Sequence, residues 1–131
     1  MQTAELSLFI IEDDHHFRET LIDVMSLRGV SVTGAATATE GLRALRGQNP
    51  SIIILDVQLP DVNGLDVARV IRRTEAFKNT PIILLSASTT YSDPRDHVEG
   101  LLAGASVFLS KPITMEKLWA EIEALVQRRQ Q

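Results

Sequence analysis

The residues of this chain best placed to do chemistry are polar side chains standing at the ends of apolar runs. Glu12, Asp13 and Asp14 follow LSLFII at 6–11, and Asp56 follows IIIL at 52–55. Ser86 follows IILL at 82–85, and Lys111 lies just beyond VFL at 107–109, directly before Pro112. A carboxylate where a strand leaves the core is costly without partners, so Asp56 should be paired, metal-bound or solvated. Carboxylates that converge repel one another unless a cation joins them. Hard oxygen donors without His or Cys favour Mg²⁺. An ammonium facing such a group would serve an anion, for example a phosphoryl group.

These residues can meet only if the apolar runs are neighbouring strands that point the same way. The run at 52–55 is short, continuous and bounded by turn signals, as expected of a strand buried on both faces. Similar runs occupy 6–11, 82–85 and 107–109, and 30–35 alternates, with Val30, Val32 and Gly34 on one parity. Helical spacing fills the intervals. Phe17, Leu21, Val24, Met25 and Leu27 predict a helix over 15–28, capped by Asp14 and stopped by Gly29. Thr39 is expected to cap a short helix running to Arg46, with Leu42 and Leu45 inward. The run 65–73 predicts a third helix burying Leu65, Val67, Ala68 and Ile71, and a fourth is expected near 95–103, closed by Gly104. Thr114 opens the last, whose apolar face is Leu118, Trp119, Ile122, Leu125 and Val126. Strands separated by helices imply parallel pairing and right-handed crossovers. The expected fold is α/β: a doubly wound five-stranded parallel sheet, (βα)5, in a flavodoxin-like three-layer sandwich. In open sheets of this kind ligands collect at the carboxyl ends of the strands, where all the residues above would lie.

Length and composition bound the rest. With 131 residues, 44% hydrophobic and 23% charged, one globular domain over 1–131 is expected, its core at about 6–127 and its QRRQQ end a frayed polar tail. A formal net charge of −4 argues against a broad nucleic-acid surface. The absence of cysteine excludes disulfides, thiolate catalysis and zinc–thiolate sites. No apolar stretch has the length of a membrane span, and residues 1–14 do not read as a signal peptide, so a cytoplasmic location without membrane contact is the default.

The motifs together resemble the receiver domain of two-component response regulators, over nearly the whole chain. The matching pieces are the acidic pair after the first strand, the D-x-x-L-P-x-x-N-G of 56–64, Ser86-Ala87, Gly104-Ala105 and Lys111-Pro112. The resemblance implies a phosphorylation-dependent switch. Asp56 would accept a phosphoryl group from a histidine kinase or phosphotransfer protein. Asp13, Asp56 and the backbone carbonyl of Gln58 would ligate Mg²⁺, with Glu12 acting through a bound water and Asp14 the alternative to Asp13. Lys111 would pair with phosphoryl oxygens, Ser86 would hydrogen-bond another, and Phe108 would be the aromatic that packs inward when Ser86 moves. The same resemblance implies a cis Lys111–Pro112 peptide and an output surface of helix four, strand five and helix five. Through that surface the chain would signal to an output domain, a downstream protein or a phosphorylation-dependent dimer. Glu12, Ser86 and Phe108 stand where Asp, Thr and Tyr are commoner, and the stretch 86–104 is slightly long. Its polar part, 88–95, is expected to be mobile and to tune partner choice.

Other readings stand beside this one. A receiver-like interaction module that is never phosphorylated would need no phosphoacceptor, and a phosphodonor with Mg²⁺ and an intact-mass reading separates the two. A flavodoxin-like cofactor binder lacks its Gly-rich cradle here. A dedicated hydrolase is disfavoured, although slow self-dephosphorylation fits a receiver. His15 and His16 read as exposed residues at a helix start, Trp119 as packing, and the Gln58 side chain as one that overhangs the site.

Overall fold

A computed structural model describes residues 6–87 and 94–129. Its strands are β1 (Ser7–Ile11), β2 (Ser31–Ala35), β3 (Ile52–Asp56), β4 (Ile82–Ser86) and β5 (Val107–Ser110). Its helices are α1 (His15–Ser26), α2 (Ala38–Leu45), α3 (Gly64–Arg73), α4 (Pro94–Leu102) and α5 (Met115–Arg129), and Glu75–Phe77 forms a 3-10 turn. The five strands pair in parallel, in the order β2-β1-β3-β4-β5. The doubly wound α/β sandwich expected from the sequence is the fold observed.

Two-residue periodicity divides the core into two layers. Phe9, Ile11, Ile53, Leu55, Ile82 and Leu84 face Leu45, Leu65, Ala68 and Ile71 of α2 and α3, together with Ala103 after α4. Leu8, Ile10, Ile52, Ile54, Ile83 and Leu85 face Leu21 and Met25 of α1 and Leu118, Trp119, Ile122 and Leu125 of α5. The register agrees, since Ile53 lies beside Ile82 and Leu55 beside Leu84. Burying each such aliphatic side chain stabilises the fold by about 1.5–3 kcal/mol, and β3 is buried along its whole length.

Several local expectations give way to tertiary contacts. The cap of α2 is Thr37, whose hydroxyl accepts from the Glu40 amide at 3.1 Å; Thr39 lies inside the helix. The Thr39 amide and hydroxyl both donate to Asp61 at 3.0 Å, and the Ala38 amide does the same. A carboxylate from the β3–α3 loop thus satisfies the α2 N-terminus, and these donors, Ala38 first, hold Asp61 below its ordinary pKa. Leu27 is 89% exposed because it is the C-cap of α1, already turned off the apolar stripe. The polar end is not frayed over its first residues, for α5 continues to Arg129. Pro94 and Arg95 open α4 and are not loop, while 88–93 lie outside the described residues, Tyr91 and most of the expected mobile loop among them.

At the edge of the sheet away from the acids, Arg72 gathers the chain. Its guanidinium donates to the carbonyls of Phe77, Lys78 and Thr80 at 2.8–2.9 Å and to Gly104 at 2.6 and 3.2 Å. It thereby ties α3, the approach to β4 and the turn before β5. Gly104 adopts φ +112° there, a conformation that L side chains rarely take, and the Arg72 side chain packs where a Cβ would stand.

The entry to α3 is the tightest backbone approach among the described glycines. A Cβ on Gly64 would collide with the Asp56 carbonyl and lie 2.7 Å from the Val57 Cα, both fixed backbone. Gly64→Ala should therefore cost about 1–3 kcal/mol, the usual range for overpacking. Urea unfolding checks this, and an unchanged midpoint would contradict it.

Candidate functional site

Strand parity decides which polar residues meet. Glu12 continues the alternation of Leu8 and Ile10, Asp56 that of Ile52 and Ile54, and Lys111 that of Val107 and Leu109, all on the α1/α5 side. Ser86 continues Ile82 and Leu84 toward the α3/α4 side, where Phe108 also lies. Glu12, Asp13, Asp14, Asp56, Gln58, Ala87 and Lys111 line one open cleft of about 420 Å³ at the carboxyl edge of the sheet.

Each side chain in the cleft has a defined place. Glu12 is fully buried, its carboxylate paired with the Lys111 ammonium and accepting from the Asp14 amide at 3.1 Å. Lys111 Nζ also lies 3.6 Å from Asp56 Oδ2 and 4.7 Å from the centre of the Phe17 ring, so the ammonium is seated between two acids over an aromatic face. Asp56, 4% exposed, accepts through Oδ1 from the Gln58 amide at 3.0 Å. The Lys111–Pro112 peptide is cis, and the Lys111 amide donates to the Ser86 carbonyl at 2.8 Å. Carboxylate oxygens of Glu12, Asp13 and Asp56 all lie within 4.8 Å of one another, a compact set of hard donors that suits a divalent cation. Asp14 stands apart from that trio. Its carboxylate caps α1 by accepting from the Phe17 amide at 3.1 Å.

The electrostatics follow from this placement. Burial raises the Glu12 pKa above the ordinary carboxylate value, and the neighbouring Asp56 carboxylate adds to it against the pull of Lys111. Burial also raises Asp13, with neighbouring Glu12 adding to the effect. The Phe17 amide holds Asp14 below its usual range. Burial works to lower the Lys111 pKa, but the Glu12 hydrogen bond and the charges of Asp56 and Glu12 outweigh it, so the ammonium is held charged.

The structure brings together Glu12, Asp13, Asp56, Gln58, Ser86 and Lys111. Phe108 lies away from the cleft, stacked on His97 of α4 at 4.3 Å between ring centres and lying where a Cβ on Gly100 would stand. Buried Ser86 accepts from Gln58 Nε2 at 2.9 Å, and Gln58 Oε1 accepts from the Ala87 amide at 3.2 Å. This double bond of the carboxamide was not legible in sequence, which offers no signal for a side chain spanning to residues 28 and 29 positions away. The seat that Phe17 provides for Lys111 was equally hidden, since the helical pattern marks Phe17 only as apolar. His15 and His16 are exposed, and His15 Nδ1 lies 3.1 Å from the Arg18 guanidinium.

Comparison with known proteins places the site in context. A family model described as the response regulator receiver domain matches residues 8–123. The transcriptional regulatory protein AfsQ1 of Streptomyces coelicolor is 42% identical over 122 residues, 93% of this chain and 52% of that protein. The DNA-binding response regulator MtrA of Mycobacterium tuberculosis is 34% identical over 128 residues, 98% of this chain and 54% of that protein. The chain thus spans about half the length of these relatives. Among solved structures, the chemotaxis response regulator CheY4 of Vibrio cholerae matches with a TM-score of 0.84 at 26% identity, over 92% of this chain and 98% of that one. A two-component response regulator from Clostridium difficile matches in fold, with a TM-score of 0.88 at 21% identity, over 97% of this chain and 100% of that one.

The raised Asp13 pKa has a consequence for stability. An acid held above its ordinary pKa binds its proton more tightly when folded. It stabilises the fold at pH below the unfolded pKa, and that contribution is lost as pH rises through the folded pKa. Asp13→Asn should therefore raise stability in chelator at about pH 7, by less than about 1 kcal/mol because Asp13 is solvent-exposed. The gain should shrink as pH falls toward about 4. Urea midpoints across that range check it, and a lower midpoint for the variant at neutral pH would contradict it.

Proposed function

The chain belongs to the response regulator receiver domain family, and from that premise we propose that it is a phosphorylation-dependent signalling switch whose phosphoacceptor is Asp56. It is a signalling domain rather than a catalytic enzyme. The observation that carries this reading is the cleft itself, in which Asp56 at the end of the central strand faces the Lys111 ammonium beside two further carboxylates.

In this reading a carboxylate oxygen of Asp56 attacks the phosphorus of a phosphohistidine on a histidine kinase or phosphotransfer protein. The P–N bond breaks, its electron pair stays on the imidazole nitrogen, and an acyl phosphate forms. Glu12, Asp13, Asp56 and the Gln58 backbone carbonyl would hold Mg²⁺, which supplies positive charge against the phosphoryl oxygens. Lys111 adds a second, protein-borne positive charge. Glu12 keeps that ammonium in place, and the Gln58 amide orients Asp56. Ser86, at the end of β4, would then turn toward a phosphoryl oxygen, and Phe108 would follow into the space released.

The output reading rests first on α4, on the side of the sheet where Phe108 lies. Val98, Leu101 and Leu102 of α4 are exposed apolar residues near Phe108 and His97, a composition suited to a protein partner or a second copy. The relatives extend well beyond the matched region, and MtrA is named for DNA binding. A net charge of −4 makes direct DNA contact by this region unfavourable, so we assign such contact to a separate output domain or partner. Among the described residues no helix is long and apolar enough to cross a membrane.

Exposure to a small phosphodonor with Mg²⁺ should add one phosphoryl group by intact mass, and Asp56→Asn should abolish it. Incorporation that persists in the variant would sink the assignment. No incorporation in the wild type would favour the unphosphorylated interaction module. Hydrogen exchange on the phosphorylated protein should change protection across α4, β5 and α5; a change confined to the neighbourhood of Asp56 would remove that face from the output.

Magnesium should also reverse the Asp13→Asn comparison. Wild type gains stability as RT ln(1 + [Mg²⁺]/Kd), and the variant, one carboxylate poorer, gains less. Equal gains in urea titrations would exclude Asp13 as a ligand.

A further inference from the structure

The proposed chemistry assigns no role to the Gln58 side chain, whose geometry is specific. Its backbone is held on two sides, by the amide donating to Asp56 Oδ1 at 3.0 Å and by an antiparallel bridge to Asn63 across the loop. From that fixed root the carboxamide reaches β4 and uses both ends. Nε2 donates to Ser86 Oγ at 2.9 Å, and Oε1 accepts from the Ala87 amide at 3.2 Å. The Ser86 hydroxyl and the Ala87 N–H are the polar groups that the end of β4 brings to the cleft edge. A phosphoryl group on Asp56 needs donors for its oxygens. Lys111 reaches from the β5 side, and among the described residues these two groups come from the β4 side.

We propose that the Gln58 carboxamide is a latch that holds Ser86 and Ala87 in the unphosphorylated protein and must release them before they can turn to the phosphoryl group. Its amide oxygen occupies the Ala87 N–H as a neutral stand-in for an anionic oxygen. Its amide nitrogen donates to the Ser86 hydroxyl oxygen and tethers that side chain to Gln58, from which a phosphoryl oxygen would have to draw it. Hydrogen bonds to an anion are roughly twice as strong as neutral ones, so the phosphoryl group displaces the latch once present. Until then the competent arrangement is a minority, and the apparent affinity for a phosphoryl group is lowered by the competent fraction. Gln58 thus acts through Ser86 and Ala87 as a positioning residue that sets the resting balance of the switch.

The proposal rests on Asp56 being the phosphoacceptor, and the test separates the two. Beryllofluoride with saturating Mg²⁺ serves as the phosphoryl mimic, titrated by calorimetry and fluorine NMR against wild type, Gln58→Met and Gln58→Ala. Both variants remove the hydrogen bonds, one keeping the bulk and one not. Each should bind the mimic roughly five- to tenfold more tightly, as expected when a latched majority is freed. In the absence of mimic, the Ala87 amide should exchange faster in both. A mere loop staple would change unfolding midpoints but not mimic affinity. Equal or weaker mimic binding in the variants, or unchanged Ala87 exchange, overturns the latch and leaves Asp56 untouched. Failure of the wild type to bind the mimic overturns the phosphoacceptor reading instead.

Discussion

The arrangement of this cleft depends on a single ammonium. Glu12 is fully buried and lies beside Asp56 and Asp13, so its carboxylate meets both desolvation and like charge. Lys111 offsets both by sitting between Glu12 and Asp56, and its seat over Phe17 brings α1 into the same contact. Removing one partner of a buried ion pair is strongly unfavourable because the other charge is left stranded. The parallel order β1-β3-β4-β5 puts the strand ends on one edge, and that is what brings the lysine to those acids. The charge that neutralises the resting site is also the one an arriving phosphoryl group would engage.

The large features were legible because they are local or periodic. The apolar runs of β1, β3 and β4, each ending in a polar residue, announced both the buried sheet and the residues at its rim. Asp14 as a helix cap was legible for the same reason, since the donor it satisfies is only three residues away. What was missed depends on contacts between distant segments. Thr39 looks as good a cap as Thr37 until Asp61 arrives from the β3–α3 loop to take the Thr39 amide. Leu27 fits the apolar stripe of α1 by spacing, but the helix has already ended there. The reach of α5 to Arg129 overrides a polar tail whose residues are good helix formers. The parity that sends Ser86 to the other side from Asp56 needs the strand register, which spacing within one strand does not supply.

Arg72 and Lys111 show two ways to hold a cation in the same sheet. Among the described residues Arg72 meets only carbonyls, and its planar fork satisfies several chain turns at once. Its pKa is lowered by burial alone, and its role is to fix the geometry of the edge opposite the cleft. Lys111 meets carboxylates, and its compact ammonium is held charged by them. One end of the molecule is thereby made rigid, and the other is left with a charge balance that can be altered.

The alternation that sends Glu12, Asp56 and Lys111 to one side of the sheet, and Ser86 and Phe108 to the other, makes the sheet a partition. The central strands fill the space between its two sides with buried apolar side chains, chiefly Ile and Leu. Communication therefore has to travel around the carboxyl rim, where Gln58 and Ser86 join the two compartments. The energetic corollary is separability. Substitutions in the two separate apolar layers should therefore sum in their effects on folding, while pairs that include Gln58 or Ser86 should not. A chain built this way can exchange the molecules it talks to on one side without re-solving the chemistry on the other.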